Sequence, residues 1–287
     1  MVDTTTLLAV DAGFQACGWI ACALFCVRLA RSGEWREPLA RTPRNWVGPS
    51  AVEIVLVLLV FLVLSRIAVS LSGATPGALD AEGSAGWHRA VLASDVAKLA
   101  VAALSIALLA RRGALKAAAN APRFPAKAPA VAIIAAAAAV ALCSLQLLAG
   151  KIAWRLLDPA AEQPVHAALE ALERSAWGEW GRTHLFLAAV IVAPLFEETV
   201  FRGLLLSSLL RYLRHAWLAI ISSGVAFGLI HTGQPQDVLP LCTLGLILGY
   251  VRIRFSSLTI PILVHALFNA RTMVLVLLNP ELIRMEW

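Results

Sequence analysis

The sequence predicts an all-α, polytopic membrane bundle of about eight transmembrane helices. Three observations predict it. Of the 287 residues, 60% are hydrophobic and 15% charged, with a mean hydropathy of +0.78; a soluble domain sits near roughly 45–50% apolar and about 25% charged. The apolar residues gather into runs close to the ~20 residues of helix that cross a bilayer core. The basic residues fall in the short connections between these runs and favour every second one, which is the orientation signal of membrane proteins.

The first run, 7–30, follows Met1-Val2-Asp3-Thr4, which lacks the positive start of a cleaved signal peptide. It is therefore expected to remain as a helix. Runs at 50–72 and 90–110 come next, then 129–149, where Ala135 to Ala139 would let the helix approach a neighbour closely. The fifth run, 184–210, contains Pro194, which kinks a helix and frees backbone groups, so that water can reach membrane depth. The sixth and seventh, 216–232 and 238–251, are short, as suits helices surrounded by protein rather than lipid. The eighth covers 257–278. The chain thus divides into N-terminal transmembrane helices (1–150), a connector (151–183), a polar-bearing transmembrane core (184–278) and a tail (279–287). In the connector, Trp154, Leu156, Leu157, Ala167, Leu169 and Leu172 recur at roughly helical spacing. That spacing fits either an amphipathic helix at the interface or a solvated loop with one helix.

Arg31, Arg36, Arg41 and Arg44 follow the first run, and Arg111, Arg112, Lys116, Arg123 and Lys127 the third. Arg211 and Arg214 follow the fifth, and Arg252 and Arg254 the seventh. Of the connections between, two carry Asp80, Glu82 and Asp237, and the long 151–183 stretch mixes Glu162, Glu170, Glu173 and Glu179 with four basic residues. This alternation puts the basic loops in the cytoplasm and both termini outside. The net charge of +6 is accounted for in this way, and no nucleic-acid partner is expected. Cys17, Cys22, Cys26, Cys143 and Cys242 show no CxxC spacing and read as small packing residues.

Three polar patterns lie inside apolar runs: Glu197-Glu198-x-x-x-Arg202, Phe227-x-x-x-His231 and His265-x-x-x-Asn269. A charged group at membrane depth costs about 2.5–3.5 kcal/mol or more, so a functional role is the default. Two carboxylates, two imidazoles and a carboxamide are the groups needed to activate water and stabilise an oxyanion, which points to an intramembrane hydrolase. On a helix Glu197 and Glu198 point about 100° apart. Glu198 and Arg202, at i and i+4 with the acid first, are set to pair, leaving Glu197 to face the bundle interior. His265 and Asn269 share a helix face by the same spacing. Counting helix rise places Glu197 roughly 21 Å, His231 about 22 Å, Asn269 about 18 Å and His265 roughly 12 Å from the inner ends of their helices.

In this order and on these helices the motifs resemble the CPBP family of intramembrane proteases, which includes the eukaryotic CAAX prenyl endopeptidases and bacterial Abi-type homologues. The match runs over about 183–278 and includes the string from Ala193 through Glu197, Glu198 and Arg202 to Gly203. The resemblance implies an eight-helix core with a water-filled cavity, in which Glu197 and His231 activate water and His265 and Asn269 stabilise the tetrahedral oxyanion. Glu198 and Arg202 would support them. It also implies a partner: a membrane-associated protein bound by its C-terminal tail within the lipid bilayer. That tail is prenylated in the family's best-known substrates, or a sorting helix in the myxosortase-like branch that an alanine- and arginine-rich, bacterial-looking chain would fit. The bacterial inner membrane would then be its location.

Alternatives remain on the residues alone. Glu197, His231 and His265 could ligate zinc with one position open. No HExxH supports this, and the metal-free scheme, with Glu197 as base and Asn269 as oxyanion donor, is preferred. A non-enzymatic membrane scaffold or bacteriocin self-immunity protein, a role the family resemblance also implies, is a second reading. A transporter is a third, using Arg66, Asp95 and Lys98. However, Asp95 and Lys98, at i and i+3, are set to pair with each other, and the two halves show no repeat.

Overall fold

A computed structural model describes residues 4–33, 48–73, 84–113, 128–157, 172, 178–232 and 235–278. Among these the chain is all helix: α1 Thr4–Ser32, α2 Ala51–Leu71, α3 Ala85–Arg111, α4 Ala128–Leu157, α5 Gly178–Leu213, α6 Ala216–Leu229, α7 Pro235–Phe255 and α8 Thr259–Leu278. Seven are long and apolar enough to cross a membrane, and α6, with 14 residues, is the short one. The protein is a multi-pass membrane protein.

Local chemistry sets the helix ends. Ser50 caps α2: its hydroxyl accepts from the Glu53 N–H at 3.3 Å, while Glu53 Oε2 accepts from the Ser50 N–H at 2.8 Å. Arg112, at the end of α3, donates its Nε–H to Glu53 at 3.0 Å and so ties the two helices together. The Ser84 hydroxyl caps α3 by accepting from the Trp87 N–H at 3.1 Å. Arg214 takes the left-handed conformation that ends α5, and the His215 ring caps α6.

Several boundaries differ from expectation: α3 starts at Ala85 rather than 90, α4 runs to Leu157 rather than 149, and α6 ends at Leu229 rather than 232. Helix α5 runs from 178 to 213 rather than 184–210, because Gly178 to Thr183 and Arg211 to Leu213 continue the helix beyond the apolar run. Helix α7 has 21 residues instead of the short 238–251 span. Pro235 opens it at no hydrogen-bond cost, since first-turn N–H groups lack helical partners anyway. Of the connector, only Lys151–Leu157 (the end of α4), Leu172 and 178–183 (the start of α5) are described; 158–171, 173–177 and the tail 279–287 lie outside the described residues. Leu172 is buried with Leu185, Met273 and Val276.

The bundle has an inside and an outside. Helix α1 packs on α4 and α2 on α3, while α4 reaches inward to α7 and α8. Helices α6 and α7 form the tightest pair, and the cause is a double small-residue motif: Gly224 and Gly228 on one, Gly245 and Gly249 on the other. A Cβ on Gly245 would lie 2.8 Å from the Gly224 Cα, and one on Gly228 would lie 2.3 Å from the Cys242 Sγ. The alanine run on α4 works as expected: Ala137 approaches α1 so closely that a Cβ on Gly18 would stand 2.1 Å from its carbonyl oxygen. All five cysteines are free.

Candidate active site

The site is built around an irregular stretch of α5. Two π-helical turns, Ala188–Val192 and Thr199–Leu205, bracket the α-helical segment Ala193–Glu198. Such widened turns concentrate at functional sites, because they re-aim side chains and release backbone groups. Glu198 and Arg202 are both fully buried, and Arg202 Nη1 donates to Glu198 Oε1 at 2.9 Å. Arg202 Nη2 donates to the Gly245 carbonyl at 3.1 Å, so the glycine crossing of α6 and α7 also sets the position of this cation. The guanidinium lies 4.5 Å from the centre of the Phe227 ring. A buried charge is tolerated when it is paired and hydrogen-bonded. The pair meets that condition at Glu198 Oε1 and at both terminal nitrogens of Arg202, while Glu198 Oε2 and Arg202 Nε have no partner among the described residues.

His265, on α8, enters between the two glutamates. Its Nδ1 is 3.0 Å from Glu198 Oε1, and its Nε2 is 3.9 Å from Glu197 Oε2. Glu198 is sealed from solvent, whereas the Glu197 side chain stays 19% exposed. The adjacent acids therefore occupy different environments, as their 100° separation on the helix requires. One is committed to Arg202 and His265, and the other keeps an open side.

His231 lies just past the end of α6 rather than within it. Its Nδ1 is 2.9 Å from the Phe227 carbonyl, one of the last carbonyls of α6, which has no helical donor. A carbonyl only accepts, so Nδ1 is the ring nitrogen that donates there, and Nε2 is left facing away from the helix end. The Phe227 ring connects the two imidazoles, with centroids 5.3 Å from His231 and 5.6 Å from His265, the latter edge-on. It also meets Phe201 at 5.3 Å and is fully buried. Asn269, one turn beyond His265, donates Nδ2 to the Ala189 carbonyl in the first π turn at 2.8 Å.

The structure thus gathers Glu197, Glu198, Arg202 and His265 directly, and it joins His231 to them through Phe227. Asn269 is held one turn away. Phe227, Gly245 and Ala189 were not singled out as partners from the sequence, although the paired small-residue spacing around Gly245 was a readable signal. Outside the site, Asp95 pairs with Lys98 at 2.9 Å as expected, and also with His184 at 3.1 Å. Arg66 is exposed on α2. Zinc ligation would need Glu197, His231 and His265 in one cluster; among the described residues no group of three His, Cys, Asp or Glu side chains is arranged to hold a metal ion.

Comparison with known proteins agrees with the motif resemblance. Residues 179–271, about a third of the chain, match the family described as Type II CAAX prenyl endopeptidase Rce1-like. Similar proteins include an uncharacterized 24.3 kDa protein of Escherichia coli, 40% identical over 83 residues, which are 28% of this chain and 38% of that protein. Two Lactococcus lactis proteins also match: UPF0177 protein YaiF, 38% identical over 84 residues (29% and 37% of the two chains), and UPF0177 protein YaiH, 32% identical over 85 residues (30% and 34%). The match spans well under half the length of each of these relatives. No solved structure matches the chain.

Proposed function

We propose that the protein is an intramembrane endopeptidase that cuts a membrane-associated protein near its C-terminus, a reading supported by the match of residues 179–271 to the family described as Type II CAAX prenyl endopeptidase Rce1-like. The observation that carries this is His265 held between a buried Glu198–Arg202 pair and a partly open Glu197. With both ring nitrogens of His265 protonated, the two carboxylates, the guanidinium and the imidazolium sum to zero charge, which is what a low-dielectric site requires. An imidazolium anchored at Nδ1 by Glu198 presents its Nε2–H as a fixed donor.

In the proposed reaction Glu197 takes a proton from a water molecule, with the His231 Nε2 lone pair orienting it, and the oxygen attacks the scissile carbonyl carbon. Negative charge moves to the carbonyl oxygen, where His265 Nε2–H and Asn269 Nδ2–H stabilise it. Collapse breaks the C–N bond, and Glu197 returns its proton to the leaving amine. No step calls for a metal. The substrate is a protein tail in the bilayer, prenylated or shaped as a sorting helix.

The test uses the purified full-length protein in lipid vesicles with two probes, a farnesylated peptide ending in CAAX and a peptide bearing a C-terminal hydrophobic sorting tail. Wild type should cleave at least one. Glu197→Gln should reduce the rate about 10²–10⁴-fold, the contribution of a general base, while insertion and thermal stability hold. If neither probe is cut, or the variant cuts at the wild-type rate, the assignment fails.

The basic-loop pattern adds an orientation in the bacterial inner membrane: Arg36 and Lys116 cytoplasmic and both termini outside, with the tail cut from the outer side. Single cysteines at Ser84 and Arg36, in a cysteine-free background, report on this through an impermeant maleimide on intact cells. Labelling at 84 and protection at 36 is the expected result. The reverse pattern inverts the orientation and favours a cytoplasmic prenylated substrate.

A further inference from the structure

One backbone carbonyl of α5 has no helical donor, and α8 supplies one. In the first π turn the Ala193 N–H reaches back five residues to the Ala188 carbonyl. In that register the donor for the Ala189 carbonyl would be the N–H of residue 194, but residue 194 is proline and has none. At membrane depth a carbonyl must find a partner within the protein. Asn269 is that partner, with its Nδ2 2.8 Å from the Ala189 oxygen. Since a carbonyl only accepts, the carboxamide nitrogen must be the atom that faces it, and this fixes which way the amide points.

We infer that Pro194 is a positioning residue for Asn269: by leaving the Ala189 carbonyl without a helical donor, it anchors one N–H of the carboxamide and presents the second to the reacting carbonyl oxygen. The inference rests on the protease assignment, in which Asn269 is an oxyanion donor. A carboxamide carries two N–H donors, and spending one on Ala189 fixes the plane in which the other lies. A free carboxamide on α8 could turn about its last torsion, whereas an anchored one is already oriented when charge develops. The same proline therefore breaks the α register of α5 and orients a side chain on another helix. Pro194 is itself buried and touches no reacting atom.

The test is a kinetic cycle with whichever probe the wild type cleaves, in vesicles, with kcat and KM resolved. Pro194→Ala restores an N–H at 194, which competes for the Ala189 carbonyl and releases Asn269. It should lower kcat about tenfold or more with KM unchanged, the signature of lost transition-state stabilisation. Asn269→Ala alone should lower kcat about 10²–10³-fold. Adding Pro194→Ala to Asn269→Ala should cost less than about twofold more, because the group being positioned is already gone. Replacing Pro194 by lactic acid, whose backbone ester also lacks an N–H, should restore kcat towards wild type. That replacement also decides the matter if Pro194→Ala does not fold.

A wild-type kcat for Pro194→Ala, a multiplicative loss in the double variant, or a lactic acid variant as slow as Pro194→Ala each overturns the inference while leaving the protease assignment standing. A wild type that cleaves neither probe overturns both.

Discussion

Helices α2 and α7 are both 21 residues long, yet the more apolar of the two is the less buried. Only 6% of the spanning residues of α2 are buried, against 44% in α7. Val55, Leu56, Leu59 and Leu62 of α2 point outward, as suits a helix whose solvent is lipid. Helix α7 instead carries Cys242, Thr243, Gly245 and Gly249 towards its neighbours, with Gln146 of α4 donating to Thr243 at 2.8 Å. Between lipid and a protein interior there is little hydrophobic gain to separate inside from outside. Close approach of small residues and satisfied polar contacts do that work. Apolarity therefore marks the rim of this bundle, and glycine with buried charge marks its centre.

The largest disruption should come from breaking the central charge pair. Arg202→Ala leaves Glu198 as a buried carboxylate facing His265, which costs about 3–5 kcal/mol when one partner of a buried pair is removed. Yield, thermal midpoint in detergent and peptide cleavage should all fall. The double variant Arg202→Ala, Glu198→Gln removes the stranded charge and should recover yield more than activity. If Arg202→Ala purified and melted like wild type, the pair would not be what holds the centre together.

How much of this was legible in the sequence follows the same division. The rim was read from its apolar runs alone: α1 and α2 lie close to where uninterrupted hydrophobic sequence puts them, and α4 starts where expected but continues past 149 to Leu157. At the centre, i to i+4 spacing was enough to pair Glu198 with Arg202 and i to i+3 to pair Asp95 with Lys98, because such contacts are set within one helix. Contacts between helices were not set by spacing. Nothing in the row of residues says that His265 turns to Glu198, or that Asn269 reaches the Ala189 carbonyl, because both depend on how α8 crosses α5. The start of α7 was hidden by Pro235 and Asp237, which read as a loop although a first turn tolerates them. The end of α6 was overrun by three residues, since the helix stops at Leu229 and the His231 ring turns back to the Phe227 carbonyl instead of continuing it. The facing pairs Gly224/Gly228 and Gly245/Gly249 were present in plain spacing, and they are the feature from which the tight α6–α7 crossing follows.

That crossing allows the comparison to be sharpened with smaller changes. A Cβ at Gly228 would meet the Cys242 Sγ at 2.3 Å, the Val238 carbonyl oxygen at 2.6 Å and the Cys242 nitrogen at 2.8 Å. The last two are backbone atoms, so the strain of Gly228→Val is relieved only by moving α6 away from α7. Overpacking of this kind costs about 1–3 kcal/mol. Phe227, the neighbouring residue, would shift with α6 and disturb the ring contacts to His231 and His265. The Gly245 carbonyl would also draw away from Arg202, so cleavage should drop by more than the stability loss alone explains. Leu59→Ala on α2 removes a larger side chain but one that is 50% exposed, and its thermal midpoint should correspond to a change within about 0.5 kcal/mol with cleavage unaltered. Both variants are read in the same detergent by thermal unfolding and by the peptide assay. A Leu59→Ala variant as damaged as Gly228→Val would mean that α2 bears on the site, and the division between rim and centre would have to be redrawn.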